Sequence, residues 1–135
     1  MTTKMFVNLP VADLKRSMAF YEALGFTFNP QFTDETAACM VISEHNYAML
    51  LTHAKFKTFA TKPIPDARAT TGVLVAITQE DRHAVTRMVA AAVKAGGKEP
   101  KPQQDYGFMV QGTFEDPDGH TWEPFWMDPA HLQKG

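Results

Sequence analysis

The sequence predicts an α+β fold in which two βαβββ modules form a curved mixed sheet that bears a cleft. The order of strand and helix signals at 4–52 recurs at 71–127, and internal repetition is a stronger guide to fold class than any single propensity. A linker at 53–70 separates the copies and contains prolines, which cannot donate ladder hydrogen bonds. We therefore expect a single domain that ends in a short tail at 128–135.

In the first module, the stretch MFVNLPV at 5–11 alternates apolar and polar side chains, which predicts a strand. Asp13 suits the N-cap of the following helix, because its carboxylate can accept hydrogen bonds from free backbone N–H groups. Gly25 suits the end of that helix. The short strands that complete the module are expected at 26–28, 36–43 and 47–52.

In the second module, the apolar run GVLVAI at 72–77 predicts the first strand. Thr78 with Asp81 resembles a capping box, and the apolar stripe that follows predicts a helix stopped by glycines at 96–97. The expected later extended segments lie near 98–100, at 108–114 and at 120–126. The sequence DPDG joins the last two, with Pro and Gly at positions that suit a tight turn.

The composition narrows the function classes. The 135-residue chain has a formal net charge of -2, which gives no basic surface for nucleic acid and no polybasic patch for a membrane. No apolar run approaches the ~20 residues that cross a bilayer, and we expect no signal peptide because the N-terminus lacks an apolar core. The single cysteine, Cys39, cannot form an internal disulfide, so we expect a cytoplasmic protein.

Two stretches carry a resemblance to a known family. FVNLPVADLKRSMAFYEALGF at 6–26 and FEDPDGHTWEPFW at 114–126 resemble the first strand and helix, and the final hairpin, of the vicinal oxygen chelate superfamily. This superfamily includes lactoylglutathione lyase (glyoxalase), extradiol dioxygenases, fosfomycin-resistance transferases and bleomycin-resistance proteins. The resemblance implies a glyoxalase/bleomycin resistance-like fold and a homodimer, but it does not select one reaction.

The resemblance also implies four positions that hold a divalent ion in the metal-dependent members. In this chain these positions are Phe6, Leu50, Gly72 and Glu123. Phe, Leu and Gly have no side-chain donor, whereas tight catalytic sites use about three or more N, O or S ligands. We therefore predict no metal ligands and no cofactor, with a bound divalent metal as the alternative.

Alternation along the last strand predicts that Glu123 and Phe125 share one face and that Trp122 lies on the other. The resemblance implies that the Glu123 face looks into an apolar cleft with few polar groups, as in most small-molecule sites. Glu123 would act there as a general base or as a hydrogen-bond partner. The predicted site residues are the catalytic candidate Glu123 and the substrate-binding candidates Phe6, Asn8, Leu50, Phe108 and Phe125.

Two main functions follow from these observations. The favoured one is a dimeric member of the superfamily that binds a small organic molecule without the usual metal. The alternative is a lyase or dioxygenase in which Glu123 joins a non-standard set of metal ligands, such as one that includes His53. A third hypothesis, a metal-free enzyme, would use Glu123 as its base.

Overall fold

The computed structural model describes residues 1–132, which contain β-strands and α-helices in alternating groups. The strands are Met5–Val11 (β1), Thr27–Asn29 (β2), Ala37–Val41 (β3), Asn46–Thr52 (β4), Leu74–Thr78 (β5), Gln104–Asp105 (β6), Met109–Gln111 (β7), Phe114–Glu115 (β8) and Thr121–Met127 (β9). The helices are Leu14–Ala23 (α1), His53–Phe59 (α2), Arg82–Lys94 (α3) and Pro129–Leu132 (α4). The α+β class is confirmed, and the chain divides into two compact units, Met1–Asp66 and Ala67–Gly135.

In the first unit, one helix packs on one face of a mixed sheet. The strand order is β1-β4-β3-β2, with β1 parallel to β4 and the other pairs antiparallel. The carboxylate of Asp13 accepts from the Arg16 N–H at 3.1 Å and caps α1, and Gly25 ends the helix turn with φ +100. Both boundaries agree with the sequence-based prediction. The buried sheet residues beneath α1 include Val11, Ala38, Met40, Ala48 and Leu50.

The second unit repeats this arrangement with one interrupted strand. Its order is β5-β9-β7-β6, with β8 also paired to β9, and β5 runs parallel to β9. Gln111 lies opposite Phe125 and Phe114 lies opposite Trp122, so β7 and β8 share one continuous register on β9. The predicted strand at 108–114 is therefore two pieces of one strand. Helix α3 covers one face of this sheet through Val85, Val89 and Ala92.

The start of α3 differs from the sequence-based prediction. Asp81 is the N-cap, because its carboxylate accepts from the Ala84 N–H at 2.8 Å. Thr78 cannot take this role, since it is still paired with Phe125 in the sheet. The strand continues farther than the apolar run alone indicated.

Two shorter segments also differ. The expected strand near 98–100 is a single bridge between Lys98 and Glu115, and β6 was not predicted. The helix α2 lies in the linker, where a short helical turn that includes Phe56 and Phe59 is compatible with the sequence. In the tail, α4 occupies Pro129–Leu132, and residues 133–135 lie outside the described part of the chain. No helix in the described residues is long and apolar enough to span a membrane.

The hairpin turn at 116–119 has the geometry that its DPDG sequence predicts. The Gly119 N–H donates to the Asp116 carbonyl at 2.9 Å, and Gly119 has φ +93. The buried carboxylate of Asp116 accepts from the backbone N–H groups of Asp118 and His120. This side chain thus satisfies donors inside a turn that joins two central strands.

Substitution of Gly119 by alanine should destabilise the fold more than a positive φ alone explains. A Cβ at this position would lie 2.8 Å from the Ala67 backbone, so we expect a loss of about 2–4 kcal/mol in the free energy of unfolding. Gly96→Ala is the matched control, because Gly96 has φ +107 but nothing within 4 Å of the added Cβ; its loss should be about 1–2 kcal/mol. Urea denaturation measures both, and equal losses would contradict the close approach of Ala67.

Candidate functional site

The alternation of β9 creates one covered and one open face of the second sheet. Trp122 is 0% exposed and shares the face of Pro124. That face adjoins α3, because a Cβ built on Gly112 would lie 2.7 Å from Val89 Cγ2 and 3.7 Å from the Pro124 ring. Glu123 therefore points to the opposite, open face, where it is only partly buried.

Uncharged residues occupy the positions next to Glu123 on this face. Ala76 of β5 is its direct cross-strand partner, and the shared register of β7 and β8 puts Thr113 opposite it on the other side. Along β9, Thr121 and Phe125 flank it two residues away, at about 7 Å. Because Ala76 has a short side chain, the Glu123 carboxylate has room to contact a ligand.

The open face continues as a mainly apolar surface. Leu74, which pairs with Thr121, is 54% exposed. Met127 and Met109 pair with each other at the other end of β9, and Gln111 supplies a carboxamide opposite Phe125. An apolar surface with a few polar groups is typical of small-molecule sites.

The carboxylate of Glu123 has no hydrogen-bond or ion-pair partner among residues 1–132. The cationic residue Lys98 forms a β-bridge with Glu115 of β8. It therefore lies on the side of β8 that is away from β9 and Glu123. A partly buried carboxylate has lost some of its hydration and gains from a donor that restores it. The Glu123 carboxylate therefore has acceptor capacity that the described residues do not use.

The hairpin of β6 and β7 borders the open face. Gly107, with φ +84, takes the first of the two loop positions, as a type II′ turn requires. The Tyr106 hydroxyl donates to the Gln104 side-chain oxygen. Gln104 lies opposite Gln111, so alternation places Tyr106 at the edge of the same face as Glu123.

Arg82, at the start of α3, holds this hairpin in place. Its guanidinium donates to the Asp105 carboxylate at 2.7 Å and to the Gly107 carbonyl at 2.6 Å. It also lies 5.0 Å from the centroid of the Trp126 ring. The planar fork of arginine can satisfy both acceptors and lie over an aromatic ring at once. Sequence reasoning missed Arg82, because its partners lie 23 and 25 residues away and no local motif marks it.

Contacts in this hairpin also lower the pKa of the Asp105 carboxyl. The Gly107 N–H donates to this carboxylate at 2.8 Å, and the Arg82 guanidinium donates to its other oxygen. These donors, the backbone N–H first, hold the pKa of the Asp105 carboxyl below its usual value.

The first sheet has its own open face, opposite α1. Phe6 is 50% exposed and stacks on Tyr47, with ring centroids 4.7 Å apart. Asn8 and its partner Met49 lie on the same face. Phe6 and Asn8 thus lie together on one sheet, as Glu123 and Phe125 do on the other.

The prediction that Leu50 lines the same surface as Phe6 and Asn8 is wrong. Leu50 pairs with Leu9, is 0% exposed and belongs to the core beneath α1. A step of one residue along a strand reverses the face, so Tyr47 and Met49 share the Phe6 face instead.

Phe108 does not share the open face of Glu123 either. Its ring stacks on the His131 imidazole of α4, with centroids 4.2 Å apart. The adjacent residue, Met109, pairs with Met127 on the Glu123 face. The assignment of Phe108 to substrate binding remains a prediction about the rim of the site.

A separate hollow of about 430 Å³ lies in the first unit, between α1 and β2. Its walls are mostly apolar and contain none of the predicted site residues. It is lined by Met18, Glu22, Gly25, Phe26, Thr27 and Phe28. Because its one carboxylate, Glu22, is exposed, nothing in it suggests catalytic chemistry.

The residues around Glu123 do not fit a divalent metal. Its neighbours on the sheet are Ala76, Thr113, Thr121 and Phe125, which offer no imidazole, thiolate or second carboxylate. Within residues 1–132, no three His, Cys, Asp or Glu side chains are grouped so that they could hold a metal ion.

Comparisons with known proteins agree with this architecture. Residues 3–43 match the family model "Bleomycin resistance protein-like N-terminal", and among curated proteins none is similar enough in sequence to count as a relative. Several solved structures have the same fold at low sequence identity, which by itself establishes the fold alone.

One such structure is a hypothetical protein from S. aureus, with 23% identity, coverage of 93% of this chain and 94% of that chain, and a TM-score of 0.79. A glyoxalase-related enzyme from Fulvimarina pelagi has 20% identity, coverage of 93% and 88%, and a TM-score of 0.77. A glyoxalase/bleomycin resistance protein/dioxygenase family enzyme from Burkholderia phytofirmans has 16% identity, coverage of 93% and 99%, and a TM-score of 0.76. The glyoxalase/bleomycin resistance-like fold that the resemblance implies is thereby confirmed.

Removal of the Arg82 side chain should loosen the β6–β7 hairpin. In Arg82→Met, the hairpin loses two hydrogen bonds and the contact with Trp126, so amide hydrogen exchange at 104–109 should accelerate several-fold. Arg87→Met on the exposed side of the same helix is the control and should leave that exchange unchanged. Slow exchange in both variants would show that Arg82 does not hold the hairpin.

The hairpin should also weaken in acid. Because the folded-state pKa of Asp105 lies below its unfolded value, its contribution to stability is complete above the unfolded pKa of about 3.9. The contribution is lost as the pH falls through the lower folded pKa. An NMR titration of the Asp105 carboxyl measures this shift, and in Arg82→Met the pKa should move partly back, since the Gly107 N–H remains. An unshifted pKa in the wild-type protein would contradict the geometry.

Proposed function

Since the chain has the fold of the vicinal oxygen chelate superfamily, we propose that it binds a small organic molecule without the metal of the metal-dependent members. The binding surface is the open face of the β5–β9 sheet. Glu123 is the polar group that orients the ligand, and Phe125 supplies apolar contact. The substrate-binding roles of Phe6 and Asn8 on the first sheet and of Phe108 belong to the same proposal.

The unpartnered carboxylate of Glu123 is the observation that carries this proposal. A charged side chain on an apolar, partly covered surface is costly unless a partner compensates it. Within residues 1–132 no partner does so, which makes Glu123 the natural anchor for a bound molecule. Mainly apolar surroundings add affinity by removing the ligand's own apolar surface from water.

The donor set favours binding without metal over the metal-dependent alternative. Phe6 and Gly72 offer no side-chain donor, and Leu50 is buried beneath α1. His53 starts α2 in the first unit, and no group of ligands forms around it within the described residues. A metal-dependent lyase or dioxygenase that uses Glu123 would need metal ligands other than the side chains at these positions.

In this proposal the protein acts as a homodimer in the cytoplasm. The superfamily resemblance supports the dimer. The buried lone thiol of Cys39, whose pKa is raised by burial, suits a reducing compartment.

Metal analysis and ligand binding together test the proposal. Untagged protein should contain no stoichiometric Ni, Zn, Mn or Fe after dialysis, and stoichiometric metal would instead favour the lyase or dioxygenase. A thermal-shift screen of small aromatic compounds should find ligands that raise the melting temperature.

For a ligand from this screen, Glu123→Gln should weaken binding by roughly tenfold or more, because the charged acceptor is replaced by a neutral amide. Phe125→Ala should also weaken it through lost apolar contact. Glu99→Gln, an exposed carboxylate substitution elsewhere in the unit, is the control and should leave affinity unchanged. If affinity were unchanged in both Glu123→Gln and Phe125→Ala, the ligand would bind elsewhere and the proposed surface would be wrong.

A further inference from the structure

Glu123 places a negative charge on the open face, and the sheet positions next to it carry no cation. The positions next to Glu123, namely Ala76, Thr113, Thr121 and Phe125, are all uncharged. Glu115 adds a second carboxylate on the same face, opposite Thr121. Lys98 is bridged to Glu115 and is separated from Glu123 by β8, so it does not neutralise Glu123.

A carboxylate in this setting discriminates between ligands by charge. A hydrogen bond between two ionised groups is about twice as strong as one between neutral groups, and Glu123 has no competing partner among residues 1–132. An anionic ligand would be repelled by Glu123. A cationic N–H donor gains most from this face.

The residues beyond Glu123 complete the recognition of such a ligand. Phe125 lies two residues farther along β9, at about 7 Å, and the face of an aromatic ring attracts a cation within about 6 Å. Met127 and Met109 follow in the next row, and thioethers pack well against aromatic rings. The face therefore matches a molecule whose charged nitrogen and apolar body are separated by a few bonds.

We propose that this face selects an organic cation, a primary ammonium or amidinium group attached to an aromatic or aliphatic body. Glu123 accepts hydrogen bonds from the charged nitrogen, and the body lies over Phe125 and the methionines. This inference rests on the proposed function and adds the chemical class of the ligand. Glu123 then acts as the counter-ion of an ammonium group at a position where metal-dependent relatives place a metal ligand.

A matched series of probes tests the charge preference. The probes are 3-phenylpropylamine, 3-phenylpropan-1-ol and 3-phenylpropanoate, which share one body and differ in charge. Isothermal titration at pH 7 should show the amine binding roughly tenfold or more tightly than the alcohol, with the carboxylate weakest. In Glu123→Gln the advantage of the amine over the alcohol should fall below about threefold. Glu99→Gln should keep the full advantage.

Circular dichroism shows whether Glu123→Gln is folded. A second variant tests the inference with Glu123 left in place. Ala76 is exposed and directly opposite Glu123, so Ala76→Lys supplies an internal counter-ion while Glu123 stays in place. Binding of the amine should then weaken by roughly tenfold, through the lost attraction and the added repulsion. An unchanged amine affinity in Ala76→Lys would overturn the inference.

Other outcomes separate this inference from the proposed function. Equal or tighter binding of the alcohol in the wild-type protein overturns the charge preference alone, provided that the affinity falls in Phe125→Ala. An amine preference that persists in Glu123→Gln but disappears in Glu115→Gln moves the counter-ion to Glu115 and overturns the role of Glu123. If no probe of the series binds, the cation inference is overturned, and if the wider thermal-shift screen also yields no ligand, the proposed function falls with it.

Discussion

The packing of β9 against α3 is the constraint on which the second unit depends. Strand side chains alternate between two faces, so burial of Trp122 at 0% exposure assigns every other residue of β9 to one side. Trp122 also stacks parallel to Phe114, with an interplanar angle of 1°. A slip of one residue would expose this indole and bury Glu123 under the helix. The position of the carboxylate is therefore a consequence of core packing.

Two features elsewhere maintain this arrangement. Gly112 interrupts the strand that pairs with β9, and any larger side chain there would collide with Val89, so this glycine permits the close contact between α3 and the sheet. Arg82 connects the start of α3 to the Asp105 side of the neighbouring hairpin. The positions of the helix and of the hairpin are thereby coupled, and the hairpin borders the open face. None of these residues needs to touch a ligand in order to shape its site.

Much of this could be predicted from sequence, because local signals dominate where they are strong. Asp13, Gly25 and the DPDG turn each act through backbone groups within four residues, and each was predicted correctly. Predictions failed where the outcome depended on distant pairing. Thr78 was assigned to a cap because its pairing with Phe125 is invisible locally. Leu50 was assigned to the wrong face because a positional match to a family motif does not fix strand register.

Of the four positions that the resemblance implies for a metal site, only Glu123 has a side-chain donor, and a lone carboxylate suits a different kind of ligand. A single carboxylate binds a divalent ion weakly, since a tight site needs several donors. One carboxylate is nevertheless sufficient for an ammonium group, which needs one counter-ion and gains further from aromatic neighbours. Glu123 can therefore serve as a counter-ion even though Phe6, Leu50 and Gly72 have no side-chain donor for a metal. Under the proposed function, Glu123 would serve as such a counter-ion with β9, its alternation and its helix contact as they stand.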